Sequence, residues 1–104
     1  MQVHVHHHVR GIHSARLEQW ATQAIEHAFD RVSDPSMEIR ASLRVSGGHL
    51  QCHMQLDRAG ARRLTVCSEA DSVAEVISKS ADTLERRLRR QVRRRRALRC
   101  RRRG

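Results

Sequence analysis

Four stretches of this chain alternate apolar and polar residues one for one, and two others repeat their apolar residues every three to four positions. Val3, Val5, His7 and Val9 alternate with His4, His6 and His8, the period-two pattern of a strand with one buried face. Gly11 is expected to end it. Ser14 is placed to cap the helix that follows, its hydroxyl meeting an otherwise unpaired amide. Leu17, Trp20, Ala21, Ala24, Ile25, Ala28 and Phe29 then form one apolar stripe, in which both Trp20 and Phe29 are expected to be buried. Ser33-Asp34-Pro35 stops the helix, because proline has no amide to donate and disfavours a helical predecessor.

Met37, Ile39, Ala41, Leu43 and Val45 alternate with Glu38, Arg40, Ser42 and Arg44, the clearest strand in the sequence. A turn at Ser46-Gly47-Gly48-His49 follows, its glycines permitting positive φ. Leu50, Cys52, Met54 and Leu56 make the inner row of the next strand, with Gln51, His53 and Gln55 outward. Residues 57–61, which include Gly60, turn the chain again. Leu64 and Val66 face in on a short last strand, with Arg63, Thr65 and Cys67 facing out. Asp71 or Ser72 caps the final helix, whose stripe is Val73, Val76, Ile77, Ala81 (or Ser80), Leu84 and Leu88, with Val92 at its limit.

The resulting order, βαβββα, defines an α+β fold. Three strands joined by tight turns make an antiparallel meander, and the first strand joins them through a right-handed helical crossover. Each helix has one apolar stripe and each strand one apolar face. All are satisfied when both helices pack on the same face of a four-stranded sheet. His4, His6, Arg40, Arg44, Gln51, His53, Gln55 and Arg63 are then left on an open polar face.

At 104 residues the chain is one small domain with a single modest core. No stretch approaches the ~18 consecutive apolar residues of a membrane span. The opening MQVHVHHHVRG has neither the basic patch nor the apolar run of a signal peptide. Cys52, Cys67 and Cys100 make no CxxC pair, which fits a reducing cytosol.

Charge changes the picture most. The formal net charge is +10, and twelve of the 21 basic residues are arginines after Glu85, a segment that contains no acid. Nine basic against eleven acidic residues remain in the rest of the chain, so the basicity sits at one end. Clustered guanidinium groups make a strong local field and fork onto phosphate oxygens. Glu85 is placed to pair with Arg89 of the run at i, i+4. The remaining like charges resist helix formation without a counter-charge. Residues 1–96 are therefore expected to form the folded body, and the arginine-rich end at 97–104 to fray unless bound. Nucleic acid is the partner this end implies. Trp20 and Phe29 are the only aromatic residues, and both are assigned to the core. No sheet aromatic is left to stack bases, so recognition through the shape and backbone of structured RNA is expected, as in double-stranded-RNA-binding domains.

His4, His6 and His8 share one face of the first strand, with His53 on another strand. Neutral imidazoles can bind zinc or nickel. Alternate residues of one strand are, however, about 6.6 Å apart, which suits a shared ion poorly. An exposed polar face is the simpler reading, and no metal or other cofactor is assigned. Glu18, Glu26 and Asp30 read as the solvated face of the first helix, with His27 beside them. No nucleophile–base–orienter set and no phosphate-cradling glycine loop occurs, so no enzymatic activity and no small-molecule substrate is expected. Cys52 reads as core, Cys67 as outer sheet face, and Cys100 lies among arginines that lower a thiol's pKa.

The opening MQVHV, the RLEQWATQAIEHAFDRVSD helix, the VAEVISKSADTLERRLRRQVRR helix and the strand order resemble the ribosome hibernation-promoting factors, also called ribosome-associated inhibitors or ribosomal subunit interface proteins. The resemblance covers about residues 1–95. It implies binding to the small ribosomal subunit, in the channel of messenger and transfer RNA, through basic residues of the helices. Carried over by position, these are Arg86, Arg87, Arg90 and Arg93, together with Arg16 and Arg31; Arg89 and Arg94 join them from the arginine run. Three departures stand out. Thr83 occupies a position where the family often has lysine, the Gly47-Gly48 hairpin lacks the family's acidic loop, and the chain is expected to be a short form without the second domain that pairs ribosomes.

These readings converge on a non-enzymatic translation inhibitor of the cytoplasm, acting on the small ribosomal subunit by contact with ribosomal RNA backbone. A general structured-RNA binder or RNA chaperone is the alternative, followed by a metal-binding protein using the histidine face.

Overall fold

The computed structural model describes the backbone of residues 1–8 and 14–103 and the side chains of 1–8 and 15–95. Its elements are β1 (Gln2–His8), α1 (Ser14–Ala28), β2 (Glu38–Ser46), β3 (His49–Asp57), β4 (Leu64–Ala70) and α2 (Val73–Arg103). This is the βαβββα order read from the sequence. The expectations for Val9, Gly11, the Ser14 hydroxyl and Cys100 fall outside the described residues.

The strands lie in the order β1-β2-β3-β4, with β1 parallel to β2 and the other pairs antiparallel. Because side chains alternate faces, this register lines up apolar rows across the sheet. Val3–Ile39–Leu56–Leu64 and Val5–Ala41–Met54–Val66 are two of them. Both helices cover that face, α1 against β1 and α2 against β3 and β4, and they also pack on each other. Between helices and sheet, Leu17, Ala21, Ile25, Phe29, Met37, Ile39, Leu43, Met54, Leu56, Val76, Ile77, Leu84 and Leu88 are buried.

Local chemistry sets the joints. The β2–β3 turn needs positive φ at both central residues, and Gly47 (59°) and Gly48 (82°) supply it. The chain after α1 turns on Asp34, whose Oδ1 accepts from the Ser36 amide at 2.7 Å and from the Ser36 hydroxyl. That hydroxyl bond, foremost, holds the Asp34 carboxyl below its ordinary pKa. At the start of α2 the cap is Ser72, whose Oγ accepts the Glu75 amide at 3.1 Å. Asp71 instead meets His49 Nδ1 at 2.8 Å, tying the hairpin side of the sheet to the helix entry.

Three expectations are corrected. Trp20 is not core: it is 41% exposed. Ala21 and Ile25 are fully buried and mark the centre of the α1 stripe. The residue before Ala21 is rotated about 100° from it, which carries the indole to the rim. Val45 was expected to face inward and is 56% exposed. Among the described residues the last β1–β2 pair is His8 with Arg44, and none pairs with Val45 on that side. The fourth strand is also longer than expected, pairing with β3 as far as Ala70 opposite Leu50.

Candidate nucleic-acid interface

The end of α2 is where the fold concentrates positive charge. A stripe of apolar residues explains why the helix lies on the sheet as far as Leu88, which is buried, and Val92, which is half-buried. Beyond them the arginines set the surface. At ~1.5 Å rise and 100° turn per residue, they divide into three sides. Arg86 and Arg90 form an exposed outward row at i and i+4, and Arg93 at i+7 lies on its border with the second side.

A second side faces the end of α1. Arg31, Val32 and Ser33 line a shallow groove of about 350 Å³ with Leu88, Arg89, Val92 and Arg93. Arg89 also pairs with Glu85. A further hollow, shared by His27, Asp30, Arg31, Glu85 and Arg89, continues this groove. Arg31 therefore belongs with the α2 arginines. Arg16 does not: it is exposed in the first turn of α1, about 20 Å away along a helix of this length.

The third side meets β4 and the β3–β4 turn. Arg87 Nη1 donates to the Thr65 carbonyl at 2.6 Å. Arg94, seven residues on, shares this side. Gln91 accepts from Arg58 Nη2 at 2.9 Å and donates to the Arg62 carbonyl at 2.9 Å. Sequence reasoning missed Arg58 and Arg62. The signal for them was the RAGARR segment, three arginines around one glycine turn, but nothing in it said that the turn would dock on the arginine helix.

Ion pairing separates structural cations from available ones. Arg40 is held by Glu38 at 2.8 Å and Arg63 by Asp57 at 2.7 Å, and Asp57 keeps Arg63 charged beyond its ordinary range. Among the described residues, no ion pair engages Arg16, Arg31, Arg58, Arg62, Arg86, Arg87, Arg90, Arg93, Arg94 or Arg95. Arg58 and Arg87 are partly engaged by Gln91 and the Thr65 carbonyl, and the others present guanidinium forks that match phosphate oxygens.

The open sheet face has a different character. Its cross-strand rows are His4–Arg40–Gln55–Thr65, His6–Ser42–His53–Cys67 and His8–Arg44–Gln51–Glu69. Gln51 links two neighbours, accepting from Arg44 Nε at 3.1 Å and donating to Glu69 at 2.8 Å. Ser42 stands between His6 and His53, which separates them by two strand spacings, roughly 9.6 Å. Among the described residues no three His, Cys, Asp or Glu side chains are grouped to hold a metal ion. Cys67 is exposed on this face, whereas burial pushes the Cys52 thiol's pKa up, with the Ser80 hydroxyl opposing in part. No described helix is long and apolar enough to cross a membrane.

Solved structures share this architecture. The N-terminal domain of Protein Y from Thermus thermophilus matches with a TM-score of 0.71 at 20% identity, over 86% of this chain and 98% of that one. A ribosomal subunit interface protein from Coxiella burnetii matches with a TM-score of 0.64 at 13% identity, over 86% of this chain and 96% of that one. No family profile matches the sequence, and no curated protein matches it. At these identities the likeness establishes the fold: the chain has the βαβββα architecture of Protein Y and the ribosomal subunit interface protein over most of its length.

Proposed function

We propose that the protein is a cytoplasmic ribosome-binding translation inhibitor of the hibernation-factor family. It occupies the messenger- and transfer-RNA channel of the small subunit and holds there by contact with ribosomal RNA backbone. It acts by occupancy, without chemistry: the body excludes the RNAs that translation needs, and the α2 arginines grip phosphate. Residues 1–96 form the binding body, and the arginine-rich end at 97–104 is ordered by the phosphates that neutralise its like charges.

The observation that carries this reading is the coincidence of fold and charge. A fold shared with a ribosomal subunit interface protein carries Arg86, Arg87, Arg90, Arg93 and Arg94 at one helix end, none in an ion pair among the described residues, with Arg31 and the Glu85-paired Arg89 beside them. Arg16 lies apart and is assigned a peripheral contact. Phosphate contact releases counterions, so affinity falls with salt at a slope of about 0.7 to 0.9 per phosphate neutralised.

Sedimentation through sucrose tests the proposal. Lysate protein is expected to travel with small subunits and whole ribosomes in low potassium chloride and to leave them as the salt rises. Protein remaining at the top of the gradient in low salt would overturn the reading. Spread over all RNA species would replace it with a general structured-RNA binder.

A further inference from the structure

Side-chain hydrogen bonds fasten the β3–β4 turn to α2, and the turn brings cations toward cations. Gln91 bonds both limbs of the turn, accepting from Arg58 and donating to the main-chain oxygen of Arg62, each at 2.9 Å. Arg87 reaches the Thr65 carbonyl at 2.6 Å just beyond it. The Arg95 guanidinium rests on the tip, its Nη2 3.7 Å from where a Cβ on Gly60 would stand, and Gly60 has a φ of +71°. A side chain there would be strained by the positive φ, and it would touch that guanidinium at ordinary van der Waals distance. Arg62 and Arg95 are exposed, and no ion pair among the described residues engages either.

Bringing Arg95 onto a turn that carries Arg58 and Arg62 is electrostatically unfavourable in isolation. Nearby Arg63 is already neutralised by Asp57. The arrangement becomes favourable when an anion lies between the guanidinium groups, each able to fork onto its oxygens. Residues 87, 91 and 95 follow one another along one side of α2. Residues 89 and 93, which face Arg31, lie about 160° round the helix from that side. A helix with its side chains is about 10 to 12 Å across, so the two sides meet different phosphates.

We propose that the β3–β4 turn and the adjoining side of α2 form a second phosphate-binding surface, centred on Arg62 and Arg95, that takes an RNA backbone segment distinct from the one at the Arg31 groove. This rests on the RNA-binding reading above. The helix end is then a two-sided grip, and the nearly neutral body contributes half of it.

The test uses Arg62→Gln/Arg95→Gln in the full chain. Both side chains are exposed, and the Gln91 bond goes to the Arg62 main chain, so the melting temperature should not move. Binding to purified small ribosomal subunits is measured at 50 to 200 mM potassium chloride. Loss of two phosphate contacts predicts about tenfold weaker binding near 150 mM and a salt slope smaller by about 1.5. Arg31→Gln/Arg93→Gln should produce its own loss, and the four changes together should combine both. If the wild type binds and Arg62→Gln/Arg95→Gln matches it in affinity and slope, the second surface is wrong while the RNA-binding reading stands. If the wild type shows no salt-sensitive binding, both fall.

Discussion

The two halves of α2 are held by different forces. In the first half Val76, Ile77, Ser80, Ala81 and Leu84 are buried against the sheet and α1, and the helix needs little else to fix it. In the second half Leu88 is the last fully buried side chain among the described residues. From there the grip is polar: Arg87 on the Thr65 carbonyl and Gln91 across the β3–β4 turn. The lesson is a separation of tasks within one helix. Apolar burial decides where α2 lies, and the polar clasp decides how its guanidinium groups are aimed.

The sharpest way to break that contrast is to remove charge without touching either anchor. Changing Arg86, Arg90, Arg93 and Arg94 to glutamine should weaken small-subunit binding by a few hundred-fold, roughly, near 150 mM salt. The thermal midpoint should stay within experimental error, since these side chains are exposed. A shared loss of stability and binding would show that the arginines hold the fold.

Leu84→Ala should do the reverse. Deleting a buried leucine leaves a cavity and costs about 3 kcal/mol, read by urea denaturation. Binding by the fraction still folded should be close to normal. Gln91→Ala lies between the two. It removes two side-chain hydrogen bonds, about 1 to 2 kcal/mol together, and leaves every charge in place. Trypsin should then cut sooner in the turn at Arg58 and Arg62, and binding should fall because the turn arginines are no longer aimed. Unchanged proteolysis would mean that the clasp holds nothing.

The smallest effect is expected at Asp34, in the turn that follows α1. Its carboxyl is held below the ordinary value, first by the Ser36 hydroxyl. A depressed carboxylate stabilises the fold above its unfolded pKa of about 4, and that contribution disappears as pH falls through the lower folded value. Melting curves from pH 5 down to pH 2 should therefore drop slightly more steeply for the wild type than for Asp34→Ala. Parallel curves would remove Asp34 from the account.

Much of this was legible in the residues themselves. The alternation from Met37 to Leu43, the Gly47-Gly48 turn and the stripe through Val76, Ile77 and Leu84 each encode a local direction that the fold obeys. Trp20 was misread because periodicity gives a stripe but not its width, and its neighbour Ala21 lies nearer the centre. The site divides in the same way. The α2 arginines were plain as a run, but their sorting onto three sides depends on what packs against the helix.

The sequence by itself determined the six elements, their order, the face each one buries and the end of the chain that carries the charge. These follow from periods of two and 3.6 residues and from turn chemistry, all of which act between near neighbours. Only the tertiary structure decided that Arg31 meets Arg89 and Arg93 across one groove, and that Arg95 rests on the tip of the turn that carries Arg62. Those encounters join residues far apart in the chain. Their geometry is set by how whole elements pack, which no local pattern records.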